Sequence, residues 1–145
     1  MAPERTIAVC CATMIGALYV VGVVSGTELR HVVQTLPIWI AVVLGWRGSK
    51  LTRWIALPFF LIWLALMVMI WLFLLGVSRM VSGHFTPAEV AMTIAIAVAS
   101  AIGIGTAFRR QKRTSAGRAA AMFVFGAALQ VAALRISFLP GIASR

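Results

Sequence analysis

Long apolar stretches separated by short polar segments dominate the pattern of this chain. A membrane-spanning helix needs about 20 consecutive, mostly apolar residues. Five stretches approach or exceed that length, and they lie at residues 6–24, 31–46, 54–77, 87–108 and 118–139. The pattern therefore predicts an all-α fold: a polytopic integral membrane bundle of about five transmembrane helices, which form a single transmembrane domain over residues 1–145.

The second stretch leaves a count of four helices open, because it is the shortest. Its sixteen residues, 31–46, would reach about 24 Å as a helix, whereas the hydrocarbon core of a bilayer is about 30 Å thick. We expect it to span only if residues 28–30 extend the helix or the bilayer thins locally.

The first stretch follows a short basic segment that contains Arg5, as in a secretory signal peptide. The apolar part is longer than a typical signal core. We therefore expect this helix to be retained rather than cleaved near Gly26.

Composition supports a lipid environment for most of the surface. The chain is 62% hydrophobic and only 11% charged, whereas soluble domains carry about 25% charged residues. Two adjacent cysteines, Cys10 and Cys11, lie within the first apolar stretch and cannot provide a disulfide framework. We interpret them as small packing residues.

Positive charges lie in the loops on one side of the predicted bundle. The net charge is +10, which suits binding to anionic lipid headgroups. The sequence shows no basic segment with interleaved aromatic residues, so no nucleic acid is expected as a partner. The positive-inside rule then places the N-terminus in the cytoplasm and the protein in the inner membrane as a multi-pass protein. The basic residues on this side are Arg5, Arg47, Lys50, Arg53, Arg109, Arg110, Lys112, Arg113 and Arg118.

The start of the fourth helix has the clearest local signal. In the segment FTPAEV, Thr86 can cap the helix, Pro87 suits the first helical position, and Glu89 completes a capping box three residues after Thr86. The spacing predicts a helix that begins at Pro87.

Small residues recur at four-residue spacing in the fourth helix, at Ala95, Ala99 and Gly103, and the fifth helix contains Gly126. Such residues let helices approach closely in lipid. We expect the fourth and fifth helices to pack against each other, within one chain or across a dimer, and the bulky third helix to face lipid. The abundance of alanine in membrane helices is the alternative explanation.

Ionisable groups lie at the outer ends of the predicted helices. On a helix that begins near Glu28, a rotation of about 100° per residue places Glu28 and His31 on one face and Arg30 and Gln34 on roughly the opposite one. Such groups often mark substrate, ion or proton paths. Glu28, His31, Gln34 and Arg135 are the predicted contacts for a substrate or proton. The alternatives are residues at headgroup level and, for Arg135, snorkelling.

Metal binding and cofactor chemistry have little support in the sequence. His84 and Glu89 are weak candidates for a metal site together with Glu28 and His31, but the spacing of a metal motif is missing. No Ser-His-Asp set is available because the chain lacks aspartate, and no catalytic residue or cofactor is predicted.

These features predict a small transport protein that acts as an oligomer, or a subunit or assembly partner of a larger membrane complex. Five short helices enclose little volume, which favours a homo-oligomer or other membrane-protein subunits, besides membrane lipids, as partners. The alternative is a membrane-embedded enzyme for a lipid or lipophilic substrate. Its acid–base groups would be His31 with Glu28, or His84 with Glu89, at the outer face.

Overall fold

Five long helices form the protein, and the structure, a computed structural model, describes residues 1–79, 84–109 and 114–143. The helices are α1 (Pro3–Ser25), α2 (Glu28–Trp46), α3 (Thr52–Leu74), α4 (Pro87–Ala107) and α5 (Ala116–Ser137), and the single turn α6 (Pro140–Ala143) follows them. Each long helix is sufficiently long and apolar to cross a membrane. The predicted all-helical fold with five candidate spans is confirmed.

Local sequence signals set two of the helix ends. At the start of α4, Glu89 N donates to Thr86 Oγ1 over 3.2 Å, and Thr86 N donates to Glu89 Oε2 over 2.7 Å. These reciprocal bonds confirm the predicted capping box. At the end of α1, Gly26 has a φ of 66°, a left-handed conformation that glycine adopts without strain. Thr27 N then donates to Gly22 O over 2.8 Å.

Helix α2 begins at Glu28, three residues before the apolar stretch that predicted it. Its 19 residues correspond to about 28 Å of helix, which is close to the hydrocarbon thickness. Because α2 begins at Glu28, the polar residues Glu28 and Arg30 belong to the helix itself. Pro37 also lies inside α2, where proline removes a backbone donor of the helix.

The five helices close into a ring in the order α1, α2, α5, α3, α4, and α4 returns to α1. Each helix packs against both of its neighbours in this order. Helix α3 also contacts α1 and α2 across the ring. One end of the ring, called the basic end, holds the N-termini of α1, α3 and α5. The other end, called the cavity end, holds the N-termini of α2 and α4.

The predicted packing of α4 against α5 within one chain is wrong. Among the described residues, no Cα atom of α4 comes within 8 Å of one in α5, and both helices pack against α3 instead. The expectation that α3 faces lipid holds for only one side of the helix: Phe59 and Phe60 are fully buried, whereas Leu61 and Val68 are exposed. Small residues of α4 and α5 pack against α3: Gly103 lies against the Phe60 ring, and Gly126 lies against the backbone of Ile55. Packing across a dimer stays a prediction.

Glycines permit the close contacts of the half nearest the basic end, called the packed half. A Cβ atom at Gly126 would lie 2.7 Å from the backbone oxygen of Ile55, and one at Gly45 would lie 2.6 Å from that of Glu4. A Cβ atom at Gly103 would overlap the ring of Phe60. These glycines therefore allow α2, α4 and α5 to approach their neighbours more closely than alanine would.

Candidate functional site: a cavity at one end of the ring

A partly enclosed cavity of about 360 Å³ lies at the cavity end of the ring. All five helices contribute to its wall, together with Phe85 before α4 and Phe138 after α5. The lining residues on the helices and the α1–α2 turn are Leu18, Val21, Ser25, Thr27, Arg30, His31, Gln34, Trp63, Leu66, Met67, Ile70, Glu89, Thr93, Ile96 and Leu134. The volume lies at the lower end of the range of small-molecule sites, which are commonly about 300–1,000 Å³.

The deeper wall of the cavity is apolar. Leu18, Trp63 and Ile96 are its innermost residues along α1, α3 and α4, and each is at least nine-tenths buried. Phe59 and Phe60, about one turn below Trp63 on α3 and in the packed half, are fully buried, and the lining of the cavity ends above them. The cavity is therefore closed towards the basic end, and a bound molecule would place its apolar part against this floor.

Arg30 is the cationic group of the cavity wall. Its guanidinium carbon lies 4.1 Å from the centre of the Phe138 ring, which is the geometry of a cation–π contact. Its Nε atom is buried without a hydrogen-bond partner, and Arg30 forms no ion pair among the described residues. The charge of Arg30 is thus held in place by an aromatic ring and is not neutralised by a carboxylate.

His31 lies next to Arg30 and is held in one orientation. Its Nδ1 atom lies 3.0 Å from the carbonyl oxygen of Thr27. Nδ1 also lies 3.1 Å from the hydroxyl oxygen of Thr27. A tautomer with the proton on Nδ1 can donate to both of these oxygen atoms, and we assign this tautomer. The assigned neutral form then has Nε2 as a hydrogen-bond acceptor, and no described residue bonds to that atom. His31 can therefore accept a hydrogen bond from a molecule in the cavity.

Glu89 is the carboxylate of the cavity wall, and it is 8% exposed. Its Oε2 atom accepts hydrogen bonds from the backbone N and the hydroxyl of Thr86, over 2.7 and 2.8 Å. It also lies in the first turn of α4, where the helix dipole favours a negative charge. The charge of Glu89 is therefore compensated locally.

Buried hydrogen bonds join α2 to α5 beside the cavity. Gln34 Nε2 donates to Ser137 Oγ over 2.9 Å, and Gln130 Nε2 donates to the backbone oxygen of Gln34 over 3.1 Å. Both glutamines are at least nine-tenths buried. These bonds fix the Gln34 side chain in the cavity wall.

The structure brings together only some of the predicted site residues. His31 and Gln34 line the cavity, whereas Glu28 and Arg135 are exposed and lie outside its lining. Arg30, His31 and Gln34 line one cavity, so the separation of Arg30 and Gln34 from His31 onto opposite faces is wrong. At about 100° per residue, His31 and Gln34 lie about 60° apart around the helix, and Arg30 and Gln34 lie about 40° apart. This is why the three side chains line the same cavity.

The weak metal candidates do not assemble into a ligand set. Within residues 1–79, 84–109 and 114–143, no three His, Cys, Asp or Glu side chains lie together in a way that could hold a metal ion. His84 is exposed and does not line the cavity, and Glu89 is engaged in the cap of α4. The two pairs considered as acid–base groups, His31 with Glu28 and His84 with Glu89, therefore do not share the cavity, whereas His31 and Glu89 do.

Several cavity residues carried no signal in the sequence. Trp63 is a large apolar residue in a helix that was expected to face lipid. In the structure it is 4% exposed, and its indole nitrogen is buried without a hydrogen-bond partner. Phe138 lies after α5 and contacts Arg30 of the neighbouring helix α2. Only the ring order, which depends on contacts between distant helices, places these residues together.

Comparisons of the chain with protein-family models, with the curated proteins and with the solved structures found no match. The geometry of the cavity therefore carries the functional reasoning.

Proposed function

We propose that this chain is a multi-pass membrane protein that binds a small molecule in the cavity, as a transport protein or as the binding subunit of a larger membrane complex. The single observation that carries the proposal is the cavity of about 360 Å³, which all five helices line and which the packed half closes below. An apolar wall with few polar groups is typical of small-molecule sites.

The proposed orientation puts the basic end in the cytoplasm of an inner membrane. The positive-inside rule supports this direction. Of the nine lysines and arginines that the structure describes, six lie at the basic end: Arg5, Arg47, Lys50, Arg53, Arg109 and Arg118. The cavity would then open to the opposite, outer side, and the bound molecule would enter from there.

An enzymatic role has less support than binding. His31 could act as a base in the cavity, but the carboxylate that shares the cavity, Glu89, already accepts two hydrogen bonds from Thr86. General acid–base catalysis needs a group that is free to exchange protons with the substrate. We therefore place binding and transport before catalysis.

Filling the cavity tests the proposal. Val21 lines the cavity and is half-buried, whereas its neighbour Val20 is 43% exposed. We expect small lipophilic compounds that raise the unfolding temperature of the purified wild type to act equally on the Val20→Trp variant. They should lose their effect on the Val21→Trp variant, because the added indole occupies the cavity.

The proposal fails if Val21→Trp responds to those compounds as the wild type does, or if no compound in a broad screen stabilises the wild type. Native mass spectrometry of the gently purified wild type tests the proposed role as a subunit of a larger complex, because it reports homo-oligomers and co-purifying subunits directly. A monomer that retains no partner would leave a self-contained binding protein and remove the proposed subunit role.

A further inference from the structure

We infer that the cavity binds an amphipathic anion whose carboxylate or phosphate head pairs with Arg30 while its apolar body lies on the floor at Leu18, Trp63 and Ile96. The inference rests on the proposed function and names the class of molecule bound. It follows from the distribution of charge and polarity in the cavity wall.

The unpaired charge of Arg30 is the first reason. Arg30 is partly buried, its Nε atom is buried without a hydrogen-bond partner, and the residue has no ion pair among the described residues. A charge near the membrane that has no partner is costly. The cation–π contact with Phe138 orients the guanidinium but leaves its charge in place. An anionic head would supply the missing partner, and the planar fork of arginine suits two-point binding of a carboxylate or phosphate.

The position of Arg30 in its helix is the second reason. It lies in the first turn of α2, and the N-cap residue Thr27 makes no side-chain hydrogen bond to that turn. The helix dipole makes the potential at this end positive, which disfavours a cation there unless an anion is present. The carboxylate of Glu28 lies in the same turn, but that residue is exposed and outside the cavity lining.

Glu89 does not reverse this balance. Its Oε2 atom already accepts two hydrogen bonds from Thr86, and the start of α4 favours its charge. The guanidinium of Arg30 has no carboxylate partner among the described residues, so Arg30 is the charged group of the wall with donors available to a ligand. His31 adds a hydrogen-bond acceptor for a hydroxyl or a protonated oxygen of the head group.

The depth and volume of the cavity set the size of the apolar body. The volume of about 360 Å³ lies near the lower end of small-molecule sites, which suits a ligand of about a dozen heavy atoms. A ten-carbon chain with a single acidic head is of this size. Decanoate and decyl phosphate are therefore suitable probes for the two head groups, and decanol and decyltrimethylammonium carry the same chain without negative charge.

The experiment measures equilibrium binding of radiolabelled decanoate to the purified chain in lipid nanodiscs, with protein-free nanodiscs subtracted. Unlabelled decyl phosphate, decanol and decyltrimethylammonium are the competitors. We expect decyl phosphate to compete about as well as unlabelled decanoate, and decanol and the cation to compete about tenfold or more weakly, because a charge-assisted pair is lost.

Two arginines at the same end of the bundle provide matched variants. Arg30→Gln should weaken decanoate binding about tenfold or more, whereas Arg135→Gln, at an exposed position outside the cavity, should change it less than about twofold. Arg30→Lys keeps the charge without the planar fork, and we expect an intermediate loss. The comparison of ligands on the wild type needs no variant and stands if Arg30→Gln does not fold.

Three results would overturn the inference. Equal competition by decanol and decanoate, lost in Val21→Trp, would show a cavity that binds apolar chains without recognising the head, and the proposed function would stand. Stronger competition by decyltrimethylammonium would assign recognition to Glu89 instead. If no ten-carbon compound binds, the inference fails, and the broader compound screen alone decides the proposed function.

Discussion

The two halves of the ring are held together in different ways. In the packed half, glycines such as Gly103 and Gly126 let neighbouring helices approach closely, and the aromatic side chains of α3 fill the space between them. In the half with the cavity, hydrogen bonds of Gln34 and Gln130 link α2 to α5, and the centre is open. Close packing gives rigidity and excludes other molecules, whereas the hydrogen-bonded half leaves a space for one.

This difference assigns separate roles to the two ends of one small bundle. The packed half fixes the helices relative to one another. At the cavity end, α2 and α4 place Arg30, His31 and Glu89 in the cavity wall. A change in the packed half should therefore act on stability, and a change at the cavity should act mainly on binding. Three pairs of variants test this comparison.

The largest effect is expected from a methyl group in the packed half. Gly126→Ala would put a Cβ atom 2.7 Å from the backbone oxygen of Ile55, whereas a Cβ atom at Gly117, also in α5, meets nothing within 4 Å. We expect Gly126→Ala to destabilise the fold by about 1–3 kcal/mol. Gly117 lies in the first turn of α5, and Gly117→Ala should change the stability by less than about 0.5 kcal/mol. Thermal unfolding in detergent measures both.

The result for Gly117→Ala also bears on oligomerisation. An equal loss of stability in this variant would mean that the exposed side of α5 is packed, for instance against a second copy. Unchanged stability of Gly126→Ala would contradict the close contact of α3 with α5.

A smaller effect is expected from the helix caps. Thr86 caps α4 at the cavity end through its side chain, whereas Ser115 precedes α5 at the basic end and makes no side-chain cap bond. Thr86→Ala should cost about 1 kcal/mol, and Ser115→Ala should stay within about 0.5 kcal/mol. Unfolding curves of the two variants, with Thr86→Ser as a restored cap, measure the difference, and equal losses would refute it.

The smallest effect is expected from the hydrogen bonds between α2 and α5. Gln130→Leu removes the bond to the Gln34 backbone oxygen but also removes an acceptor, Oε1, that is buried without a partner. Bonds between membrane helices contribute about 0.6 kcal/mol on average, so the net loss should be about that size. Thr13→Val, which removes a bond within α1, is the control. A loss of stability above about 2 kcal/mol would mean that the half with the cavity depends on the Gln130–Gln34 hydrogen bond for its stability, which would contradict the prediction of a small effect.

The sequence predicted the structural features that depend on residues close together in the chain. The apolar stretches indicated the five helices, and the segment from Thr86 to Glu89 specified the cap of α4 to the residue. His31 and Gln34 were selected because polar groups are costly near membrane depth, and both line the cavity. The role assigned to them stays a prediction.

The arrangement of the helices could not be predicted in the same way. Small residues on α4 and α5 indicate close packing but do not say against which helix, and the partner proved to be α3. Phe138 reaches Arg30 because α5 lies beside α2 in the ring, and Trp63 reaches the cavity because α3 lies between α5 and α4. Arg135 lies in α5 at the same end but on its exposed side, a distinction that sequence spacing did not resolve.

The central claim, a cavity open at one end and closed by the packed half, can be tested directly with thiol labelling. The native thiols Cys10 and Cys11 are buried in the packed half, Leu66 lines the cavity, and Val68 is 50% exposed on the outside of α3 at a similar depth. A small, charged, membrane-impermeant thiol reagent should label Leu66→Cys from the outer side. It should leave the wild type and Val68→Cys unlabelled, because neither thiol meets water. Labelling of Leu66→Cys no faster than that of Val68→Cys would contradict the cavity, and labelling only from the cytoplasmic side would reverse the proposed orientation.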